Sequence, residues 1–129
     1  MYVRGRVGFK MHMRYLVMKD MNSRKKGHGF ERKIAQEMRE LGFENCRTSR
    51  EVSPLRDAEG IDLVGAGLFN VQCKALERAP AYHELLKIMP QNENYNVIFH
   101  KRNRSGTVVV MEKEDFYELL NMLLKEKIL

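Results

Sequence analysis

Long apolar runs are missing from this sequence. The longest are a handful of residues, so none of them is a membrane-spanning helix. The N-terminus is basic and carries no apolar signal-peptide core. Cysteine is scarce. Cys46 and Cys73 are the only two, and both sit in strand-like runs rather than in CxxC or Cys/His spacing. That argues against a zinc site and against a disulfide scaffold. Reduced core thiols in a cytoplasmic protein are the expectation. Repeats and low-complexity tracts are also absent.

What is present suits one soluble domain. The chain has 129 residues, 43% of them hydrophobic and 31% charged. A domain of this size buries roughly 68% of its unfolded surface and needs no covalent staples. The net charge of +6 is unevenly spread. Residues 1–28 hold eight Lys/Arg against one acid, and the rest of the chain is close to neutral. A basic arm on a near-neutral body points to a polyanionic partner, of which nucleic acid is the usual one. A solubilising tail is the plain alternative, and Met11, Met13, Met18 and Met21 leave the true start of the arm open.

Residues 1–21 read as a basic extension, with "YLVM" at 15–18 as a possible short strand, and residues 22–129 as the folded domain. "NSRKKGHG" at 22–29 reads as a basic loop. "GFERKIAQEMRELGF" follows as a helix, with Phe30, Ile34, Ala35, Met38 and Leu41 on one stripe. Gly42 is placed to end it and Phe43 to pack back. Glu31 falls in its first turn. "FENCRTS" is expected as a strand, "REVSPLRDAEG" as a loop, and "IDLVG", "GAG" and "LFNVQCKALE" as a β-hairpin. A helix over 79–89 presents Tyr82, Leu85, Leu86 and Met89 inward. "YNVIFH" and "TVVVM" are strands around a basic turn, "KRNRSG", and a last helix closes the chain. The order α-β-β-β-α-β-β-α describes an α/β fold: a mixed sheet flanked by helices.

The strand at 68–77 is the informative one. Phe69, Val71 and Cys73 make an apolar face, so Asn70, Gln72 and Lys74 share the other. With the turn centred near Gly65–Gly67, Asp62 lies roughly across from Asn70, with Gln72 on the diagonal. Asp62, Gln72 and Lys74 thus converge, and Glu31 on a packed helix is placed to join them. Hard divalent ions such as Mg²⁺ or Mn²⁺ prefer oxygen ligands. Asp62 offers a carboxylate, Gln72 an amide oxygen, Cys73 its backbone carbonyl and Glu31 a second carboxylate. Lys74 supplies a point charge for a scissile phosphate. Metal-dependent phosphodiester hydrolysis is the chemistry this set suits.

"GIDLVGAGLFNVQCK" resembles the PD-(D/E)XK nuclease signature, with Asp62 in the place of the metal-binding Asp, and Gln72 and Lys74 in the places of the (D/E/Q) and Lys. Ile61 stands where many members have Pro, and the "QCK" form looks like that of Mrr-type restriction endonucleases. The layout over about residues 22–124 is similar to small archaeal-type Holliday-junction resolvases and their phage relatives. It has a basic segment, a Gly-x-x-x-Glu helix start in "KGHGFERKIAQEMRELGF", a loop, the hairpin, a helix and a final strand pair. "HKRNRSG" with "TVVVMEKEDFYELL" also looks like phage-encoded members. The resemblance implies a restriction-endonuclease-like fold, a metal role for Glu31, cleavage of four-way or other branched DNA, and a homodimer. If the chain is phage-encoded, the cytoplasm is the host's.

Each assignment has a plainer rival. Asp62 caps a turn or pairs with an Arg; Glu31 answers the helix dipole or pairs with Lys33 or another base; Gln72 and Lys74 are ordinary strand residues. Asp57 and Glu59 are either solvated or supply the charge that Gln72 lacks. His28, His83 and His100 have no ligand spacing. For DNA contact the sequence offers Arg24, Lys25 and Lys26 in the arm, and Arg47, Ser49, Arg50, Ser53 and Arg56 around the 50–60 loop, where Arg forks and hydroxyls suit phosphate. Lys101, Arg102 and Arg104 sit in the basic turn. The function expected is a structure-selective DNA endonuclease, a Holliday-junction resolvase first and an Mrr-like restriction or nicking enzyme second. The rival from another class is a module of the same fold that holds branched DNA without cutting it.

Overall fold

Helix α1, Ser23–Leu41, starts six residues before the Gly29 expected from the sequence. Arg and Lys are good helix formers, so the helix propagates back from its docked stripe through Gly27 and Gly29, each costing roughly 1 kcal/mol against Ala. The computed structural model describes residues 23–129, with side chains from Gly27 onward. The 1–21 extension, with its 15–18 strand, therefore lies outside the described residues. Phe30, Ile34, Ala35 and Met38 are buried as the stripe predicts, whereas Leu41 is exposed. Gly42 ends the helix at φ 128°. Its N–H donates to Arg39 and the N–H of Phe43 to Met38, the paired bonds of a Schellman motif.

The elements that follow are β1 (Arg47–Thr48), α2 (Ser49–Val52), α3 (Pro54–Ala58), β2 (Leu63–Val64), β3 (Phe69–Ala75), α4 (Tyr82–Ile88), β4 (Tyr95–Arg102), β5 (Gly106–Val110) and α5 (Lys113–Lys125). The architecture is α/β with a five-stranded mixed sheet in the order β1-β2-β3-β4-β5. Only β3 and β4 run parallel, joined through α4; the other neighbours are antiparallel. No helix among the described residues is long and apolar enough to cross a membrane.

Two expectations need correction. The 50–60 segment is not an open loop but two short helices. Ser53 caps α3, its side chain accepting the Arg56 N–H, and Pro54 stands at the start of that helix. Proline there initiates a helix, although it reads as loop punctuation in the sequence. Strand β4 also runs on past His100 to Arg102, so Lys101 is a strand residue and not part of the turn.

The sheet has two unlike faces. On one, α1 packs Phe30, Ile34, Ala35 and Met38 against Leu63, Val71, Cys73 and Val97. On the other, α4 packs Leu86 and Met89 on Ile98, with Tyr82 and Leu85 partly buried beside them. Because side chains alternate along a strand, Gln72 and Lys74 lie on the α4 side, next to Ile98 and His100 in the parallel register.

The β2–β3 turn is fixed to the end of α1. Gly65 has φ 76°, and a Cβ there would lie 2.5 Å from the Asn45 carbonyl oxygen. Gly65→Ala therefore meets both a backbone clash and a disfavoured φ. It is expected to cost about 3 kcal/mol or more, a size typical of strain at a special backbone conformation plus a steric clash. Urea unfolding at constant slope measures it, and a change under about 1 kcal/mol would refute the close approach.

Candidate active site

The hairpin carries Asp62 into the sheet but turns later than the sequence implies. Leu63 pairs with Val71. Continuing that register puts Asp62 beside Gln72, two residues from the expected partner Asn70. The turn is centred on Gly67, closed by the Phe69 N–H donating to Ala66 at 3.2 Å. A two-residue slip preserves the face, so the grouping of Asp62 with Gln72 survives the correction.

Asp62 is held from both sides. Its N–H donates to the Val71 carbonyl at 2.7 Å, and its carbonyl accepts the Ser49 N–H at 2.8 Å. Its carboxylate Oδ2 accepts the Cys73 N–H at 2.7 Å. The side chain thus takes the place of a main-chain acceptor just where β2 gives out. Burial pushes the Asp62 carboxyl up to about 6. The Cys73 N–H and Lys74 oppose that rise, while the carboxylates of Glu31 and Asp57 add to it. In an extended strand a residue's N–H and C=O point to the same side, so the Cys73 carbonyl is directed toward the Asp62 side of β3.

Gln72 differs from its neighbour Asn70 on the same face. Asn70 is buried and fully engaged, donating to Asn92 at 3.1 Å and to Asn96 at 2.8 Å. Gln72 is only 8% exposed, and its buried Oε1 accepts no hydrogen bond. An unmet buried acceptor costs roughly 1–3 kcal/mol. Its Nε2 lies toward Gly60, where a Cβ would sit 3.7 Å away. Lys74 is half-buried on the same face. Its register partner His100 is buried with both ring nitrogens taken, one by Tyr82 Oη and one by the Leu76 carbonyl, each at 2.8 Å. His100 is thereby a packing residue. His28 is half-exposed and His83 exposed.

Glu31 lies well inside α1, not in its first turn, and is 8% exposed. Both its oxygens accept from Arg50 Nη2 at 3.2 Å. Burial raises the Glu31 carboxyl, Arg50 opposes that rise, and Asp57 adds to it. The ion pair is the plainer role foreseen for Glu31, with Arg50 as the partner instead of Lys33. Asp57, in α3, is near enough to raise both Glu31 and Asp62, whereas Glu59 is exposed. The loop acid drawn toward the site is thus Asp57.

The structure separates the DNA-contact candidates. Arg24, Lys25 and Lys26 fall in α1, with side chains outside the described residues. Arg47, Arg56, Arg102 and Arg104 are exposed. Arg50 is half-exposed while engaging Glu31. Ser49 is completely buried, so its hydroxyl cannot reach a surface ligand. Ser53 is occupied as the cap of α3. Lys101 is 3% exposed, with Nζ 5.4 Å from the centroid of the Phe30 ring, and is withdrawn from the surface. Ser49, Ser53 and Lys101 therefore have internal partners or positions that the sequence did not reveal. Sequence reasoning missed Arg32 and Arg39, which flank Ala35 on α1 and meet Arg47; their seven-residue spacing on one helical stripe was the available signal.

Cys46 and Cys73 are free and buried, and burial pushes both thiols up, away from reactivity. Among the described residues no three His, Cys, Asp or Glu side chains form a ready-made metal cluster. The donors that are present are the buried Glu31 carboxylate, the half-buried Asp62 carboxylate, an amide oxygen and a backbone carbonyl. All are hard oxygens, and the orphaned Gln72 Oε1 beside a charge-burdened Asp62 fits a Mg²⁺ or Mn²⁺ ion better than a softer metal. Compared with protein-family models, curated proteins and solved structures, the chain matches none.

Proposed function

We propose that this protein is a Mg²⁺- or Mn²⁺-dependent DNA endonuclease of restriction-endonuclease-like fold, acting on four-way junctions or other branched DNA as a Holliday-junction resolvase does. The observation that carries the reading is the pairing of a buried acceptor without a partner, Gln72 Oε1, with a half-buried carboxylate, Asp62, whose acidity burial weakens, next to Lys74. In an apolar setting this arrangement is costly, and a divalent cation relieves it. Asp62 and the Cys73 carbonyl would hold the ion at the start of β2, with Gln72 on the α4 face and Glu31, whose charge acts on Asp62, approaching from the α1 face. When bound, it supplies Lewis-acid stabilisation of the charge that hydrolysis builds on phosphate oxygens.

The side chains do the rest. The Cys73 N–H fixes the Asp62 carboxylate in orientation. Lys74 brings a positive charge to the scissile phosphate from the same face as Gln72. Asp57 adds negative charge that the neutral Gln72 does not. Paired nicks on opposing strands require two such sites, so a homodimer is part of the proposal. Helix α5 favours a second copy as the partner. None of its residues is buried, and Phe116, Tyr117, Met122 and Leu124 are exposed. Glu114 and Asp115 lie in its first turn and Lys125 in its last, so these ends of two antiparallel copies would match in charge.

One observation favours the non-cutting module. Arg50 already neutralises Glu31, which leaves the site with less negative charge to attract a cation. Labelled four-way junction, fork and linear duplex incubated with Mg²⁺ or Mn²⁺ separate the readings. Symmetric nicks in the junction alone are expected. Cutting of linear duplex at a fixed sequence would favour the Mrr-like enzyme, and tight junction binding with no nick would favour the binding module.

A further inference from the structure

We infer that Arg32, Arg39 and Arg47 form a pocket that grips a backbone phosphate of the bound nucleic acid, apart from the carboxylate site. It rests on the reading of the protein as DNA-binding for the identity of its ligand, but not on cleavage. The pocket has a volume of ≈ 310 Å³ and lies between α1 and β1, lined by Arg32, Ala35, Arg39, Arg47, Thr48 and Glu51. Arg32, Ala35 and Arg39 share one stripe of α1, next around the helix from Glu31, and Arg47 and Thr48 form the edge strand opposite.

The guanidinium groups are brought together by the fold. Arg39 Nη1 donates to the Cys46 carbonyl at 2.7 Å, and Arg47 Nη1 donates to the same oxygen at 2.8 Å. Two cations that share one acceptor are held at close quarters despite their repulsion. Each spends one N–H on that carbonyl, and Arg47 donates also to the Glu44 carbonyl at 3.3 Å. A guanidinium has five N–H donors, so both keep several for an outside acceptor. Among the described residues none of the three arginines is in an ion pair, although Glu51 stands at the pocket wall. A concave site with three cations and one anion has a net positive charge to place. Planar guanidiniums that converge on one point suit a phosphodiester, which offers two unesterified oxygens.

The charge also suits nucleic acid. Arg32 is exposed on α1 and Arg47 is exposed on the edge strand, so the pocket opens on the surface, where a phosphate that is part of a chain can reach it.

The test is binding, read by fluorescence anisotropy of labelled four-way junction and linear duplex in EDTA, so that no cutting intervenes. Among the described residues the Arg32 side chain makes no hydrogen bond, and Arg32→Ala should leave the melting temperature unchanged. The Arg32→Ala/Arg47→Ala double variant should weaken binding to both DNAs roughly tenfold, as loss of charge-assisted bonds does. It should also flatten the dependence of log Kd on log salt by about 0.9, the slope that one phosphate contact carries on B-DNA. Glu51→Gln should tighten binding. An unchanged salt slope in the folded double variant would overturn the assignment. So would saturable uptake of inorganic phosphate by the wild type, lost in the double variant, with DNA binding unaffected. If the protein fails to cut any DNA yet the slope falls as expected, the nuclease reading is lost and the pocket stands. If cutting is confirmed and the slope does not move, the reverse holds.

Discussion

Asp62→Asn is expected to abolish metal-dependent cleavage and, in the same protein, to stabilise the metal-free fold. The first effect follows from the ligand. Asparagine removes the one carboxylate that the hairpin fixes at the site, and with Gln72 already neutral, only Glu31, paired with Arg50, and the nearby Asp57 are left to provide negative charge. A fall of at least about 10³-fold in cleavage rate is expected, the scale on which loss of electrostatic transition-state stabilisation is felt. The second effect follows from burial. A carboxyl raised from 3.8 to about 6 in the fold is disfavoured as the anion there. That penalty is absent below the unfolded pKa, grows as pH rises toward 6, and is fully present above it, up to about 3 kcal/mol at about 1.4 kcal/mol per tenfold. Asparagine avoids it and can still accept the Cys73 N–H. In EDTA at neutral pH the variant should therefore melt several degrees above wild type, with the gap closing toward pH 4. Added Mg²⁺ should stabilise wild type and leave the variant unmoved. A variant that is less stable than wild type at neutral pH would mean that Asp62 is a structural anchor and not a ligand awaiting its ion.

The β2–β3 hairpin was legible because strand alternation and glycine-rich turns are local signals. The face that joins Gln72 to Lys74 follows from the spacing alone, and it survived a two-residue error in register because strand sidedness has period two. What the sequence could not show depends on distant contacts. Nothing near Ser49 says that its backbone will bond Asp62 and bury its hydroxyl. Lys101 follows a run that ends convincingly at His100, yet pairing with both β3 and β5 extends the strand and draws the lysine under Phe30. The short helices at 49–58 were hidden by Pro54, whose meaning depends on whether a capping serine precedes it. That ordered segment is what places Asp57 near Asp62 and Arg50 on Glu31, so the site's charge balance was the least legible part of the molecule. The arginine pocket was hidden for the same reason: one wall lies on α1 and the other on β1, and only the packing of helix on edge strand makes it a pocket.

Gln72→Glu is expected to shift the same balance in the opposite direction, and by a comparable amount. Position 72 is 8% exposed, and a carboxylate there joins the carboxylates of Asp62, Glu31 and Asp57, offset by Lys74, Arg50 and, at Glu31, Arg32. Without metal, an additional buried anion should destabilise the protein by several kcal/mol, the range found for uncompensated buried charge. Its own carboxyl would be pushed up by burial and by the neighbouring acids. The loss should therefore be small at pH 4 and deepen as pH rises. With metal, the added charge becomes a ligand. The Mg²⁺ concentration needed for half-maximal cleavage should fall by about tenfold or more, and the stabilisation by saturating Mg²⁺ should exceed that of wild type, in line with ligand-linked stability. Melting curves in EDTA and across a Mg²⁺ titration, run beside nicking assays on the four-way junction, read both effects. A variant whose melting temperature responds to Mg²⁺ no more than wild type would place residue 72 outside the ion's reach. In that event the orphaned Oε1 would be an ordinary buried amide, and the choice between cutting and holding DNA would fall on Asp62, Asp57 and the Glu31–Arg50 pair.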